Sequence, residues 1–410
     1  MITKITFENY KAFSEKQEIE IKPITILIGK NSSGKSAVSK LFPLFENSLS
    51  NNQNEPLLLS NSNVELGSEF RDLVYAKNPP FEIEFSLNFN SGTTILVRII
   101  KPDYSTSNVL RISKWQYSND NTNIQLTYNP QKKTYVDEKQ TEYNCKFLGF
   151  VPTEIISKNT GKNLCKTINL TDLSISVDYI GPFRILPPNT FVLTGEQNYN
   201  KVGIRGENSY KILGNSKLNK TDLITEVGNW YKNNFDGWIL DIEDKREPYL
   251  EVILKKTENY NVNISHVGQG MSQALPLVVR AFMKTLPSFI VLEQPELHLH
   301  PAAHADLAEL FANSAINKKH KYIIETHSEN ILLRLRKLIV DENSNLSSDD
   351  VVIYWIDIED DEHYIDKITI DEYGELSDWP TGVFNENVEE IMEIKKAVLL
   401  KKQKQNDSKD

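Results

Sequence analysis

Gly29-Lys30-Asn31-Ser32-Ser33-Gly34-Lys35-Ser36 fits the pattern G-x-x-x-x-G-K-[ST] at every position. Each residue type has a physical task. Gly29 and Gly34 permit backbone angles at which successive N–H groups point inward onto phosphate oxygens. Lys35 reaches the β and γ phosphates, and the Ser36 hydroxyl ligates Mg²⁺. A helix starting here adds its positive N-terminal end. The chemistry expected of residues 29–36 is the binding of a nucleoside triphosphate with Mg²⁺.

Three further segments carry groups that could complete such a site. Phe289-Ile290-Val291-Leu292-Glu293-Gln294-Pro295-Glu296 is an apolar strand ending in acid, the form of a Walker B segment. Its Glu293 is expected beside the phosphate loop, holding Mg²⁺ or its water. Tyr322-Ile323-Ile324-Glu325-Thr326-His327-Ser328 is another apolar strand with a polar end, which would put His327 within reach of a γ-phosphate. His266-Val267-Gly268-Gln269-Gly270-Met271-Ser272-Gln273 precedes an apolar helical pattern. With Ser272 read as the N-cap, Gly268 and Gly270 lead into a second anion-receptive helix start.

The elements that must position these residues follow from the patterning. Ile24-Thr25-Ile26-Leu27-Ile28 is a short β-branched run ending at a glycine, as in a buried parallel strand. A helical pattern runs from Ser36 to about Phe45, where Pro43 should kink or end it. From about Ser48 to Asp178 the chain is rich in Asn, Ser and Thr. Alternating runs at 81–87, 94–99 and 124–128 predict an antiparallel meander with one wet face. Helices are expected near 70–75 and 221–234. In the last third, apolar strands at 289–292, 322–324 and 351–356 alternate with helical stretches at 302–313 and 330–340, which implies a parallel sheet.

The order of the motifs resembles that of ABC/SMC-type ATPases, and within them the RecF-like and OLD-like AAA proteins of bacteria. The resemblance covers most of the chain from Met1 to Ser328 apart from the middle. Glu293-Gln294-Pro295-Glu296-Leu297-His298-Leu299-His300-Pro301 is similar to the E-x-P-E-x-H-L-H-P signature of the OLD-like branch. Tyr179-Ile180-Gly181-Pro182-Phe183-Arg184 and Val202-Gly203-Ile204-Arg205-Gly206-Glu207 also look like that branch. The resemblance implies an α/β fold, an ABC/SMC-type P-loop ATPase head with a mixed sheet and helices on both faces, plus a β-rich insertion. The implied division is a first head lobe at 1–47, the insertion at 48–178, a second head lobe at 179–390 and a charged helical or disordered tail at 391–410.

The resemblance also implies roles. ATP and Mg²⁺ would be bound by Gly29 to Ser36, with Ser36 and Glu293 toward the metal. Gly268, Gly270 and Ser272 of one chain would close over the ATP on Lys35 of another. One chain carries a single copy of each half-site, so a head-to-head homodimer with two ATP molecules is expected, open to assembly into a higher oligomer. Gln294 stands where transporter-type relatives have a glutamate that orients water. Gln294 cannot accept a proton but can still orient water, which makes Glu296 the candidate carboxylate, His327 the candidate switch histidine and slow hydrolysis the expectation. Related ATPases serve antiphage systems such as Septu and PARIS beside a separately encoded effector, a nuclease or toxin. The alternative is a RecF-like ATPase that binds DNA in repair or chromosome maintenance.

Two other clusters have simpler readings. His298, His300 and His304 could suggest zinc, but the segment is better read as a dimer-contact loop with Pro301 in the first turn of a helix. Asp357-Ile358-Glu359-Asp360-Asp361-Glu362 could suggest a metal-dependent nuclease, but reads better as the polar tip of a hairpin.

Composition narrows the classes further. The chain has 410 residues, enough for a large core without disulfide or metal support. Its 2 cysteines, Cys145 and Cys165, form no CxxC, which excludes a disulfide scaffold and points to a reducing, cytoplasmic setting. With Lys+Arg 46 against Asp+Glu 56, the net charge is −10, which argues against a uniformly basic nucleic-acid coat. No apolar run approaches the roughly 18 residues needed to span a bilayer, and residues 1–5 lack a signal-peptide core.

Overall fold

The computed structural model describes residues 1–61, 63–77, 82–101, 109–170, 173–193, 199–246, 248–257, 260–284, 289–378 and 392–396. Strands β1 (Ile2–Glu8), β2 (Gln17–Glu20) and β3 (Ile24–Gly29) come first, followed by helices α1 (Lys35–Ser39) and α2 (Leu41–Leu49). A short pair, β4 (Ser60–Asn61) and β5 (Val64–Glu65), precedes β6 (Glu82–Phe89), β7 (Thr94–Ile100), β8 (Arg111–Ser118) and β9 (Asn123–Asn129). Strands β10 (Thr134–Val136), β11 (Glu142–Leu148), β12 (Val151–Ser157), β13 (Val177–Ile180) and β14 (Phe191–Val192) lead to helices α3 (Ser209–Leu218) and α4 (Leu223–Asn234). Next come β15 (Ile239–Arg246), β16 (Tyr249–Thr257), β17 (Tyr260–Asn263) and helix α5 (Gln269–Phe282). The remaining elements are β18 (Phe289–Glu293), α6 (Pro301–Lys318), β19 (Lys321–Glu325), α7 (Glu329–Val340), β20 (Val351–Glu359) and β21 (Glu362–Ile368).

A six-stranded mixed sheet, in the order β13-β18-β19-β3-β20-β21, carries the site; only the β20–β21 pair is antiparallel. Its inner strands β18, β19 and β3 are largely apolar because both faces are covered, whereas the edge strand β21 is polar. Ile24, Ile26 and Ile28 of β3, with Ile290 and Leu292 of β18, enter a core shared with α3 to α7. Leu27, Phe289, Val291 and Ile323 point the other way, into a core shared with α1, α2 and a second sheet. That second sheet has nine antiparallel strands among the described residues, in the order β12-β11-β10-β9-β8-β7-β6-β1-β2. The layers are therefore helices, mixed sheet, then two short helices and a β-sheet.

The meander read from alternation at 81–87, 94–99 and 124–128 is present, and β6 and β7 alternate in burial residue by residue. The structure adds that it does not stand alone. β1 pairs with β6 along most of its length, placing Ile5 opposite Leu87 and Phe7 opposite Phe85. The N-terminal strands and those of 82–157 thus form one sheet, across the boundary drawn at residue 47.

Some element limits differ from the sequence reading. The first helix breaks at Lys40 rather than at Pro43, which sits in the first turn of α2, where its missing N–H costs nothing. The expected helix near 70–75 is a pair of 3₁₀ turns, Phe70–Leu73 and Tyr75–Lys77. Of the tail expected over 391–410, residues 392–396 are helical and the rest lie outside the described residues.

Polar contacts tie the helical layer to the sheet. Arg280 of α5 pairs with Asp178 of β13 at 3.0 Å, and both are buried. His320, between α6 and β19, shares a 2.9 Å hydrogen bond with Ser314. Burial first, then the positive charges of Arg280 and Lys318, lower its pKa to about 3. The unfolded chain takes up this proton below about 6.5, and the folded chain resists it until near 3. Stability from this group is thus complete above about pH 6.5 and is lost as the pH falls. The expected loss is roughly 2 kcal/mol by about pH 5. Denaturant midpoints at about pH 5 and 7.5 should show it in the wild type and show it reduced in His320→Gln.

Candidate functional site

The phosphate loop leaves the buried end of β3 between two flanking strands, β19 and β20, so its start is held on both sides. Gly29 has φ +150°, and a Cβ there would lie 2.0 Å from the Ile356 carbonyl oxygen on β20. Gly34 has φ +112°, and its Cβ would strike the Phe13 ring at 2.9 Å. Both glycines are required by φ and by space. Lys35 is only 4% exposed and donates to the carbonyls of Gly29 at 2.9 Å and Lys30 at 2.6 Å. Burial lowers its pKa, against the opposing pull of Glu325 and Asp357.

The β20–β21 hairpin braces this loop from outside. Asp357 pairs with Lys30 at 2.9 Å, and His363 Nδ1 shares a 2.7 Å hydrogen bond with the Ser33 carbonyl. The turn is made by Asp360 and Asp361, both at positive φ, as a two-residue hairpin of this twist requires. The acidic run at 357–362 therefore divides into one loop-anchoring carboxylate and a hairpin tip.

The carboxylates converge differently from the sequence reading. β19, rather than β18, lies next to β3. Ser36 donates to Glu325 Oε1 at 2.9 Å. Ser39 Oγ lies 3.4 Å from Glu325 Oε2 and 3.5 Å from Glu293 Oε1, and Tyr179 OH donates to Glu293. Glu293 and Glu325 are direct neighbours across the β18–β19 register. Burial first, then the charge of Glu293, raises the Glu325 pKa to about 7. Glu325 was not singled out from sequence, although Tyr322-Ile323-Ile324-Glu325 has the same apolar-strand-then-acid form as the segment ending at Glu293.

This donor set suits Mg²⁺, a hard cation taking oxygen ligands and usually held by one or two carboxylates plus substrate phosphates. Ser36 and Glu293 would hold it from the protein side. It would supply charge neutralisation at the β and γ phosphates.

The turn after β18 is strained and pinned. Gln294 has φ +44°, unusual for a side chain of this type. Its N–H donates to the Glu325 carbonyl at 2.8 Å, and its carbonyl accepts from Arg184 at 2.9 Å. Arg184 also donates to the Gln273 carbonyl at 3.1 Å and so links the β18 turn to α5. Glu296 Oε1 accepts the backbone N–H of His327 at 2.7 Å, which joins two of the three residues expected to act in hydrolysis. The His327 ring is lowered in pKa by partial burial and by Lys35, against Glu296.

The three histidines of 298–304 have local tasks or face outward. His300 caps α6 by accepting from Ala302 N–H at 3.3 Å, with Pro301 at the first helical position. His304 binds Ser328 Oγ at 2.8 Å and the Leu299 carbonyl at 3.3 Å, and His298 is exposed.

The Gly268-to-Ser272 segment lies elsewhere. Helix α5 begins at Gln269 with Gly268 as N-cap, so Ser272 is inside the first turn rather than the cap, and its Oγ donates to the Gln269 carbonyl at 3.0 Å. Among the described residues no hydrogen bond or ion pair joins 268–272 to 29–36 of the same chain. The loop 202–207 packs against α5, where Gly206 leaves no room for a Cβ beside Pro276. It also meets the end of β13, where Gly181 N–H donates to the Ile204 carbonyl at 2.8 Å.

Residues 1–180 and 207–332 match a family model described as an AAA ATPase domain. Residues 346–394 match one described as a protein of unknown function, DUF3696. No curated protein matches the chain. Among solved structures it is similar to an SMC head domain from Thermotoga maritima, at 13% identity and TM-score 0.39, covering 89% of this chain and 98% of that one. It is also similar to an SMC head bound to the C-winged helix domain of ScpA, at 15% identity and TM-score 0.46, covering 90% and 98%. A third is an SMC head with an extended coiled coil, bound to the C-terminal domain of ScpA derived from Pyrococcus furiosus. It shows 13% identity and TM-score 0.41, covering 97% and 99%. No helix among the described residues is long and apolar enough to cross a membrane. With its phosphate loop seated at the end of a buried parallel strand and well over half of its length matched, the chain belongs to the AAA ATPase domain family.

Proposed function

We propose that this chain is an ATP-operated, dimerising switch of the ABC/SMC head type that hydrolyses ATP slowly. It controls a separately encoded effector in bacterial antiphage defence. The observation that carries the dimeric part is the start of α5. Gly268 has φ −57° and ψ 148°, open to any residue, and a Cβ there would meet nothing within 4 Å. A Cβ on Gly270 would approach only His298 O at 3.6 Å and the Leu299 side chain at 3.7 Å. Glycine inside a helix costs roughly 0.5–1 kcal/mol against alanine, and no contact within the chain calls for it at Gly270. Close approach by a phosphate bound to another chain does. ATP on Lys35 of one protomer would be closed over by Gly268, Gly270 and Ser272 of its partner.

Mixing two inactive variants tests this. Lys35→Ala and Ser272→Arg chains each lack one half of every composite site, yet a mixed dimer keeps one complete site. Activity should return on mixing. No recovery, together with a wild-type rate per chain that is undiminished on dilution, would exclude the shared site.

Slow turnover is supported by Gln294, which cannot take a proton, and by Glu296, whose free Oε2 is buried. Gln294→Glu should raise turnover about tenfold or more, and Glu296→Ala should lower it by a similar factor. Fast wild-type turnover indifferent to Glu296→Ala would refute this assignment.

The defence role draws on the likeness of Glu293–Pro301 to the OLD-like branch. The net charge of −10 favours a partner as the carrier of any strongly basic surface. A stable complex with the product of an adjacent gene is expected. Tight, ATP-dependent and salt-sensitive DNA binding by the isolated chain would favour the RecF-like alternative instead.

A further inference from the structure

We infer that Glu325 is a second carboxylate of the Mg²⁺ site, and that it makes nucleotide binding conditional on the cation. The inference deepens the ATP site proposed above but needs neither the dimer nor an effector.

Three observations support it. Ser36, the hydroxyl that the phosphate-loop motif directs to the metal, is bound to Glu325 at 2.9 Å rather than to Glu293. Glu325 and Glu293 are cross-strand neighbours whose carboxylates both approach Ser39 Oγ, at 3.4 and 3.5 Å. Glu325 is only 4% exposed, so water does little to screen the pair.

Two carboxylates held this close in a poorly solvated pocket resist ionising together and repel any further anion. A metal-free triphosphate would bring several negative charges to the same place. A divalent cation reverses the sign of the interaction, because it is attracted to both carboxylates and to the phosphates. Glu325 therefore favours the metal–nucleotide complex and opposes the bare nucleotide. Glu325, bonded to Ser36 at the end of the phosphate loop, becomes a filter that favours ATP carrying its cation.

The test is equilibrium binding of a fluorescent ATP analogue, in excess Mg²⁺ and in excess EDTA, to the full-length chain and to Glu325→Gln. Wild type should bind at least about a hundredfold more tightly with Mg²⁺, and Glu325→Gln should narrow that ratio about tenfold, chiefly by tighter binding in EDTA. Mn²⁺ titrated into the ATP-loaded protein and followed by EPR should bind about tenfold more weakly in Glu325→Gln. Both quantities unchanged within about twofold would overturn the inference. Should Glu325→Gln fail to fold, Glu325→Asp decides the matter. The shortened carboxylate should still repel bare ATP but hold Mn²⁺ more weakly, and wild-type Mn²⁺ affinity in that variant would overturn the role. Failure of the wild type to bind any nucleotide would instead reject the ATP site itself.

Discussion

Lys35→Ala should abolish ATP turnover and weaken ATP binding at least about a hundredfold, while leaving the chain folded. The ammonium is buried under the phosphate loop and bonded to two carbonyls of that loop, at Gly29 and Lys30. No side chain depends on it for a hydrogen bond among the described residues, so its loss should fall on the ligand rather than on the core. Its charge is also what offsets Glu325 and Asp357, both close enough to raise its pKa against burial. Without it, phosphates would meet the site's carboxylates with no compensating cation from the protein. Phosphate release and nucleotide binding measured on one preparation, with a melting curve, check all three parts. Turnover within a few-fold of wild type would place hydrolysis elsewhere in the molecule.

Gly29→Ala should be the most damaging single methyl that the site can receive, costing more than about 4 kcal/mol or preventing folding. The new Cβ would sit 2.0 Å from the Ile356 carbonyl oxygen, and the residue would be held at φ +150°. Relief requires β3 and β20 to separate just where Ile356 and Gly29 are in register. Since β3 is also paired with β19, the disturbance reaches Glu325. Gly268→Ala is the matched control. Nothing lies within 4 Å of its Cβ and its φ is unrestricted, so its melting temperature should fall only by the small cost of exchanging an N-cap glycine, far less than in Gly29→Ala. If Gly29→Ala melts like Gly268→Ala, the close packing of β3 on β20 is not what holds the phosphate loop.

Much of the site was legible in sequence because its signals are local. The β-branched run 24–28, the glycines at 29 and 34 and the lysine that opens the helix occupy one short stretch of chain, where spacing determines geometry. Pro301 at a helix start and the acidic hairpin at 357–362 were legible for the same reason. The start of α5 was misjudged because two glycines obscure where a helix begins, and the break at Lys40 carries no proline or glycine signal.

The order of strands was not legible, and the site depends on it. Apolar runs at 289–293 and 321–325 predict parallel strands equally well, and nothing local says which will lie beside β3. Packing decides that β19 does, and so gives Ser36 a carboxylate at 325. The same holds for β1, whose partner β6 lies about eighty residues away and whose pairing merges the N-terminus with the β-rich middle.

The sequence by itself placed the phosphate-loop motif at 29–36, because that motif needs only neighbouring residues and a helix start. Tertiary structure alone decided which acids face the phosphate loop. Carboxylate placement depends on strand neighbours, and those are chosen by burial of both sheet faces rather than by any residue near the site.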